Sequence, residues 1–110
     1  MSSHKSLGNL EEVLLLLVAI MNKGEIYGFS IKLEYEKQMG KSLSMPAIHT
    51  VLKRLEQKGF LRSELGVATQ KRGGKRKRLY QITKYGYRAI SEIQENRTRL
   101  WGQVGEIGFE

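Results

Sequence analysis

Nine consecutive apolar residues, Val13 to Met21, constrain this chain more than any other segment. Asn9, with Glu12 three residues later, resembles a capping box, and Glu11 and Glu12 suit a helix N-terminus. A helix over about residues 9–22 follows, ended by Asn22-Lys23-Gly24. It is apolar on every side, and such a helix is buried on every side. In a chain of 110 residues one side can face the chain's own core. The other needs a second cover, either a partner subunit or further helices of the same chain.

The run is too short for a membrane span, which needs about 20 residues. Acidic residues precede it, whereas a secretory leader carries cations there. The chain has no Cys, which excludes disulfides, thiolate metal sites and Cys nucleophiles and suits a reducing interior. A cytoplasmic protein of one domain, without membrane association, is expected.

Downstream, the spacing predicts a second helix from Tyr27 to Met39, ended by Gly40 at a left-handed position. Ile31, Tyr35 and Met39 would form its inner stripe, and Gly28 would let a neighbour approach closely. Phe29 and Leu33 either cover another subunit or widen that stripe. Ser44 caps a third helix with Pro46 in its first turn, and Gly59 ends it. Ile48, Val51, Leu52 and Leu55 point inward. The outward face holds Ala47, His49, Thr50, Lys53, Arg54 and Lys58. Short polar side chains there allow approach to base edges, and the cations reach phosphates. His49 is either such a contact or an exposed residue without a role.

Lys71-Arg72-Gly73-Gly74-Lys75-Arg76-Lys77-Arg78 places six cations around a glycine pair. Gly-Gly suits a tight hairpin. Leu61, Ser63 and Leu65 on one side, and Leu79, Gln81 and Thr83 on the other, offer two strands joined by this tip. Arg78, Tyr80 and Ile82 would take the second strand's other face. From Lys41 to Lys84 there are twelve Lys or Arg and two carboxylates, +12 − 2 = +10; the remainder carries +7 − 9 = −2. Crowded cations at a turn gain nothing from folding but gain from a polyanion. A solvated loop or a nuclear-carrier signal are the alternatives. Thr83 can cap a last helix over about residues 84–101, where Gly86 permits close packing and Ile90, Ile93, Leu100, Trp101 and Val104 recur at heptad-like steps interrupted by Asn96 and Arg97; the following glycines favour fraying.

Catalysis has little support. His4 and His49 are the only histidines, and no cluster has metal-ligand spacing. Gly74-Lys75 fails as a phosphate loop, because Thr69 replaces the first glycine and Arg76 the Ser or Thr. No cofactor is expected.

The order helix, helix, helix, β-ribbon, helix is that of a winged helix-turn-helix, mainly α with a small β-hairpin, with an added C-terminal helix. The chain resembles the PadR-like transcriptional regulators from Leu7-Gly8 to about Trp101. The resemblance rests on Tyr27-Gly28, on Ile48-His49-Thr50-Val51-Leu52-Lys53-Arg54-Leu55-Glu56-Gln57-Lys58-Gly59, on Arg72-Gly73-Gly74-Lys75-Arg76-Lys77-Arg78-Leu79-Tyr80, and on Ile82-Thr83-Lys84-Tyr85-Gly86. His49 stands where many members carry Tyr, and Leu33 where a charge is usual. The resemblance implies a homodimeric repressor of double-stranded DNA, of the compact branch with a single final helix; a small-molecule-sensing regulator with a pocket between subunits, or a winged helix that binds RNA without operator specificity, are the alternatives. Ser44, Ala47, His49, Thr50, Lys53, Arg54 and Lys58 would meet DNA, as would Lys71, Arg72, Lys75, Arg76, Lys77 and Arg78. The first and last helices would build the dimer, with Leu14, Leu17, Met21, Ile93, Leu100 and Trp101 facing the partner or a ligand. In some compact members an aromatic residue on the last helix stacks on flat drugs between subunits. Trp101 is therefore a candidate contact for a small aromatic inducer, with core or dimer packing as the alternative.

Overall fold

Gly8 begins the first helix: its N–H donates to Glu11 Oε1 at 2.9 Å, leaving Asn9 as the first helical residue. The expected cap at Asn9 thus lies one residue earlier and uses Glu11, while Glu12 turns to another helix. This computed structural model describes residues 6–21, 24–67 and 76–109. Helix α1 spans Asn9–Ile20, α2 Gly28–Met39 and α3 Met45–Gln57. Strands β1 Leu61–Leu65 and β2 Arg78–Ile82 follow, and α4 spans Lys84–Trp101. The winged-helix order expected from the sequence is the one observed.

The apolar run of α1 is not buried all round. Leu14, Leu15, Leu17 and Val18 enter the core, whereas Leu16 and Ile20 are 43% and 53% exposed. Helices α2, α3 and α4 and strand β2 pack around α1, so the chain's own elements supply most of the cover. Leu14 and Leu17, placed on an outer interface by the resemblance, are core residues here. Met21 is half-buried against the same core.

Helix α2 buries Ile31 and Tyr35, but Met39 is 44% exposed. Four-residue steps overshoot the 3.6-residue turn, so Met39 sits about 80° around the helix from Ile31. Phe29 and Leu33 are exposed. Gly40 closes α2 at φ 69°, in the left-handed region. The Ser44 hydroxyl accepts from Ala47 N–H at 3.2 Å and starts α3, whose Ile48, Val51, Leu52 and Leu55 are buried.

Strands β1 and β2 pair antiparallel with Leu61 opposite Ile82, Ser63 opposite Tyr80 and Leu65 opposite Arg78. Opposed residues share a face. Leu61, Ser63 and Leu65 therefore lie beside Ile82, Tyr80 and Arg78, and Leu79 and Gln81 point the other way. Tyr80 N–H donates to the Ile26 carbonyl at 2.8 Å, which ties the α1–α2 connection to the outer edge of β2.

Thr83 caps α4 by accepting from Gly86 N–H at 2.9 Å. A Cβ at Gly86 would lie 2.2 Å from the Phe60 carbonyl oxygen, so only glycine fits this crossing. Phe60 stacks on Tyr85 with ring centroids 5.1 Å apart. Ala89 and Ile90 are buried and Ile93 half-buried; beyond Ile93 the helix leaves the core.

Two neighbouring carboxylates of α1 hold other elements. Glu12 accepts from both terminal nitrogens of Arg97, at 2.8 and 3.0 Å, fixing α4. Glu11 receives Lys58 Nζ at 2.7 and 2.9 Å, fixing the end of α3. Burial pushes the Glu11 carboxyl up, but hydrogen bonds from Lys58 and Gly8 and the charges of Lys58 and Arg54 outweigh it, leaving its pKa below the ordinary 4.5. A depressed carboxylate stabilises the fold fully above its ordinary pKa and loses that stabilisation as pH falls through its folded value. Glu11→Gln should cost about 1 kcal/mol at neutral pH. Urea unfolding at a series of pH values should show the gap between variant and wild type closing below about pH 4.5; a gap independent of pH would show that the charge contributes nothing.

Candidate nucleic-acid interface

Packing Ile48, Val51, Leu52 and Leu55 inward turns the opposite face of α3 to solvent. His49, Thr50, Lys53 and Arg54 are exposed there, and Ala47 is half-buried. The Thr50 hydroxyl donates to the Pro46 carbonyl at 2.9 Å, leaving its oxygen able to accept. The Ser44 hydroxyl accepts as the cap and keeps its own proton to donate.

The His49 ring rests on Gly28 at the start of α2. A Cβ at Gly28 would lie 2.8 Å from His49 Cε1 and 3.1 Å from the Met45 terminal methyl. The close approach expected at Gly28 is thus toward α3, and it sets the imidazole beside the N-terminus of α2. A groove of about 280 Å³ opens here, lined by Tyr27, Gly28, Met45 and His49 and by Arg76, Lys77 and Arg78 at the base of the wing. The N-terminal part of the exposed α3 face, at His49, and the cationic approach to β2 therefore share one groove. A larger depression of about 550 Å³ lies over Ile26, Arg62, Glu64, Leu79 and Gln81, on the wing's other side.

The described cations divide into two groups. Lys53, Arg54 and Arg76 are exposed. Lys58 is not turned to the α3 outer face as expected; it binds Glu11 and the Ser6 carbonyl, the latter at 3.0 Å. Lys77 binds Glu25 Oε1 at 2.6 Å and lies 4.0 Å from the centroid of the Tyr27 ring. The hydrogen bond to Glu25 raises the Lys77 pKa above its ordinary value, so this ammonium is firmly charged. Arg78 donates one N–H to Ser63 Oγ at 3.0 Å, and that hydroxyl donates to Glu56 at 2.6 Å. Burial and the Glu56 charge raise the pKa of the neighbouring Tyr80 phenol, against an opposing effect of Arg78. Lys71, Arg72, Lys75 and the Gly73-Gly74 turn lie outside the described residues.

Sequence reasoning missed Glu25 and Tyr27 as partners of a wing cation, and Arg62, an exposed β1 cation bonded to Gln81 at 2.8 and 3.1 Å. Arg62 was visible within the basic stretch; nothing in the local pattern linked Glu25 to Lys77. Ile93, Leu100 and Trp101 follow one another along α4, half-buried at Ile93 and exposed at the other two. Among the described residues no group of three or more His, Cys, Asp or Glu could hold a metal, and no helix is long and apolar enough to cross a membrane.

No curated protein matches the sequence. Several solved structures share the fold. A PadR-like transcription factor from Bacteroides fragilis is 23% identical with a TM-score of 0.69, over 83% of this chain and 82% of that one. A PadR-like transcriptional regulator from Bacillus cereus is 20% identical with a TM-score of 0.66, over 88% and 93%. PadR of Bacillus subtilis, solved in complex with operator DNA, is 22% identical with a TM-score of 0.62, over 93% of this chain and 51% of that one. The model of the transcriptional regulator PadR-like family matches residues 16–92, from within α1 to within α4, and the chain belongs to that family.

Proposed function

We propose that the chain is a cytoplasmic, sequence-specific DNA-binding repressor that acts as a homodimer on a pseudo-palindromic operator. One observation carries this reading: His49, on the exposed face of α3 near its N-terminus, lines the same groove as the wing residues Arg76 and Arg78. The similar protein from Bacillus subtilis was solved with operator DNA, which supports a nucleic-acid role for this arrangement. Helix α3 enters the major groove, where Ala47, His49 and Thr50 meet base edges. Ser44, Lys53, Arg54, Arg76 and Arg78 meet phosphates, together with Lys71, Arg72 and Lys75 of the tip.

The dimer reading is supported by apolar surface. Leu16 and Ile20 of α1 and Leu100 and Trp101 of α4 are exposed, and Val104, Ile107 and Phe109 continue the exposed run. The chain measures 60 × 34 × 23 Å, and its radius of gyration of 16.6 Å exceeds the roughly 13 Å of a compact domain this long. An α4 that projects from the core with apolar side chains suits a partner helix. Repression would follow from occlusion of the promoter, and an inducer would release it by favouring a dimer with the wrong spacing of α3 helices. Trp101, 76% exposed, suits packing between subunits first, with a flat aromatic compound held there as inducer the second reading.

Selection of bound duplexes from a random pool should return paired, inverted half-sites about 34 Å apart, one helical turn; recovery of unrelated sequences would refute operator specificity. Replacing Arg76 and Arg78 by Ala should weaken binding alike on all sequences and lower the salt slope by about 0.9 for each phosphate no longer neutralised. An unchanged slope would remove both arginines from the DNA backbone. Leu16→Glu should give a folded monomer in sedimentation, since Leu16 is already half in solvent within one chain. A stable dimer in that variant would place the interface elsewhere.

A further inference from the structure

We infer that Lys77, one of the six clustered cations, grips the protein and not DNA: it is the positioning residue that fixes the angle of the wing. The inference rests on the DNA-binding reading above and departs from the expectation that Lys77 binds the DNA backbone.

Three segments meet at this residue. Its ammonium sits 2.6 Å from Glu25 Oε1 and over the Tyr27 ring, both in the α1–α2 connection. Its carbonyl accepts from Gly66 N–H at 2.6 Å, just past the end of β1. Three residues on, Tyr80 N–H reaches the Ile26 carbonyl at 2.8 Å. The side chain lines the same groove as Arg76 and Arg78, but it is only 20% exposed and its ammonium is held by Glu25, so most of its approach to a phosphate is already covered. A phosphate that took Lys77 would exchange one ion pair for another. Arg78 differs, because one N–H is bound to Ser63 and the guanidinium has others to offer. Arg76 is exposed. Lys77 therefore contributes no counterion release, and the salt slope counts one cation fewer than the cluster holds.

The test uses the full chain and a mixed-sequence DNA duplex, with hydrogen exchange of the Tyr80 amide as a readout that does not involve DNA. Lys77→Met should speed Tyr80 exchange and weaken binding by about three- to tenfold with the salt slope unchanged. Glu25→Gln should also weaken binding. The charge swap of Glu25→Lys with Lys77→Glu should restore both the amide protection and the affinity. A slope lowered by about 0.9 in Lys77→Met, or tighter binding by Glu25→Gln, would make Lys77 a phosphate ligand and overturn the inference. So would a swap that remains as weak as Lys77→Met. If the wild-type chain ignores duplex DNA at low ionic strength, the DNA reading fails and the role assigned to Lys77 in it fails too. Unaltered Tyr80 exchange in Lys77→Met would instead refute the clamp alone.

Discussion

Leu14 and Leu15 are fully buried on α1, with Ile31 of α2 and Ile48 and Leu52 of α3 fully buried in the same cluster. The angle at which α3 presents its outer face is set by this packing, since interiors are close-packed and side chains interdigitate in few ways. Truncating Leu14 or Leu15 to Ala would leave a cavity costing about 2–5 kcal/mol, a large part of a small domain's stability. Other leucine-like positions of the same helix meet the opposite environment. Leu16 and Ile20 are partly in solvent, so α1 serves the core with one side and leaves apolar surface on the other.

Electrostatics adds orientation to that packing. Glu11 and Glu12 are adjacent and so point about 100° apart around α1. One holds Lys58 at the end of α3, the other Arg97 on the projecting part of α4. Both carboxylates are nearly buried, whereas Arg97 is largely exposed, so the Lys58 pair is the better shielded from screening. At the wing the same logic recurs with Glu25 and Lys77. Cations that look alike in the sequence thus divide between internal ties and open surface.

Much of the fold was legible because local chemistry marks it. Ser44 with Ala47, Thr83 with Gly86, and Gly40 in its left-handed turn each act within a few residues, and each was readable. The inward residues of α3 followed from helical period alone. What was not legible involves partners far apart in the chain. Lys58 finds Glu11 across 47 residues and Lys77 finds Glu25 across 52, and no periodicity carries that information. Leu14 and Leu17 looked available to a partner subunit because a run apolar on all sides does not say which neighbours cover it. Met39 fell out of its stripe because a four-residue step drifts around the helix. Which residues of β1 and β2 share a face depends on strand register, and a period of two within each strand does not fix the register between them.

The crossing of Gly86 over the Phe60 carbonyl joins the wing to α4 without any slack. Thr83 bonds the carbonyls of Gly59 and Phe60, and Phe60 N–H in turn bonds the Leu55 carbonyl of α3. With 18 residues at 1.5 Å each, α4 is a lever about 27 Å long pivoting on this joint. A tilt of about 5° moves its far end by roughly 2 Å while the pivot barely shifts. Small errors in the angle at Gly86 are therefore magnified toward Trp101, and the tightness of that contact, together with the Glu12–Arg97 pair farther along, governs how accurately the distant end of α4 is placed.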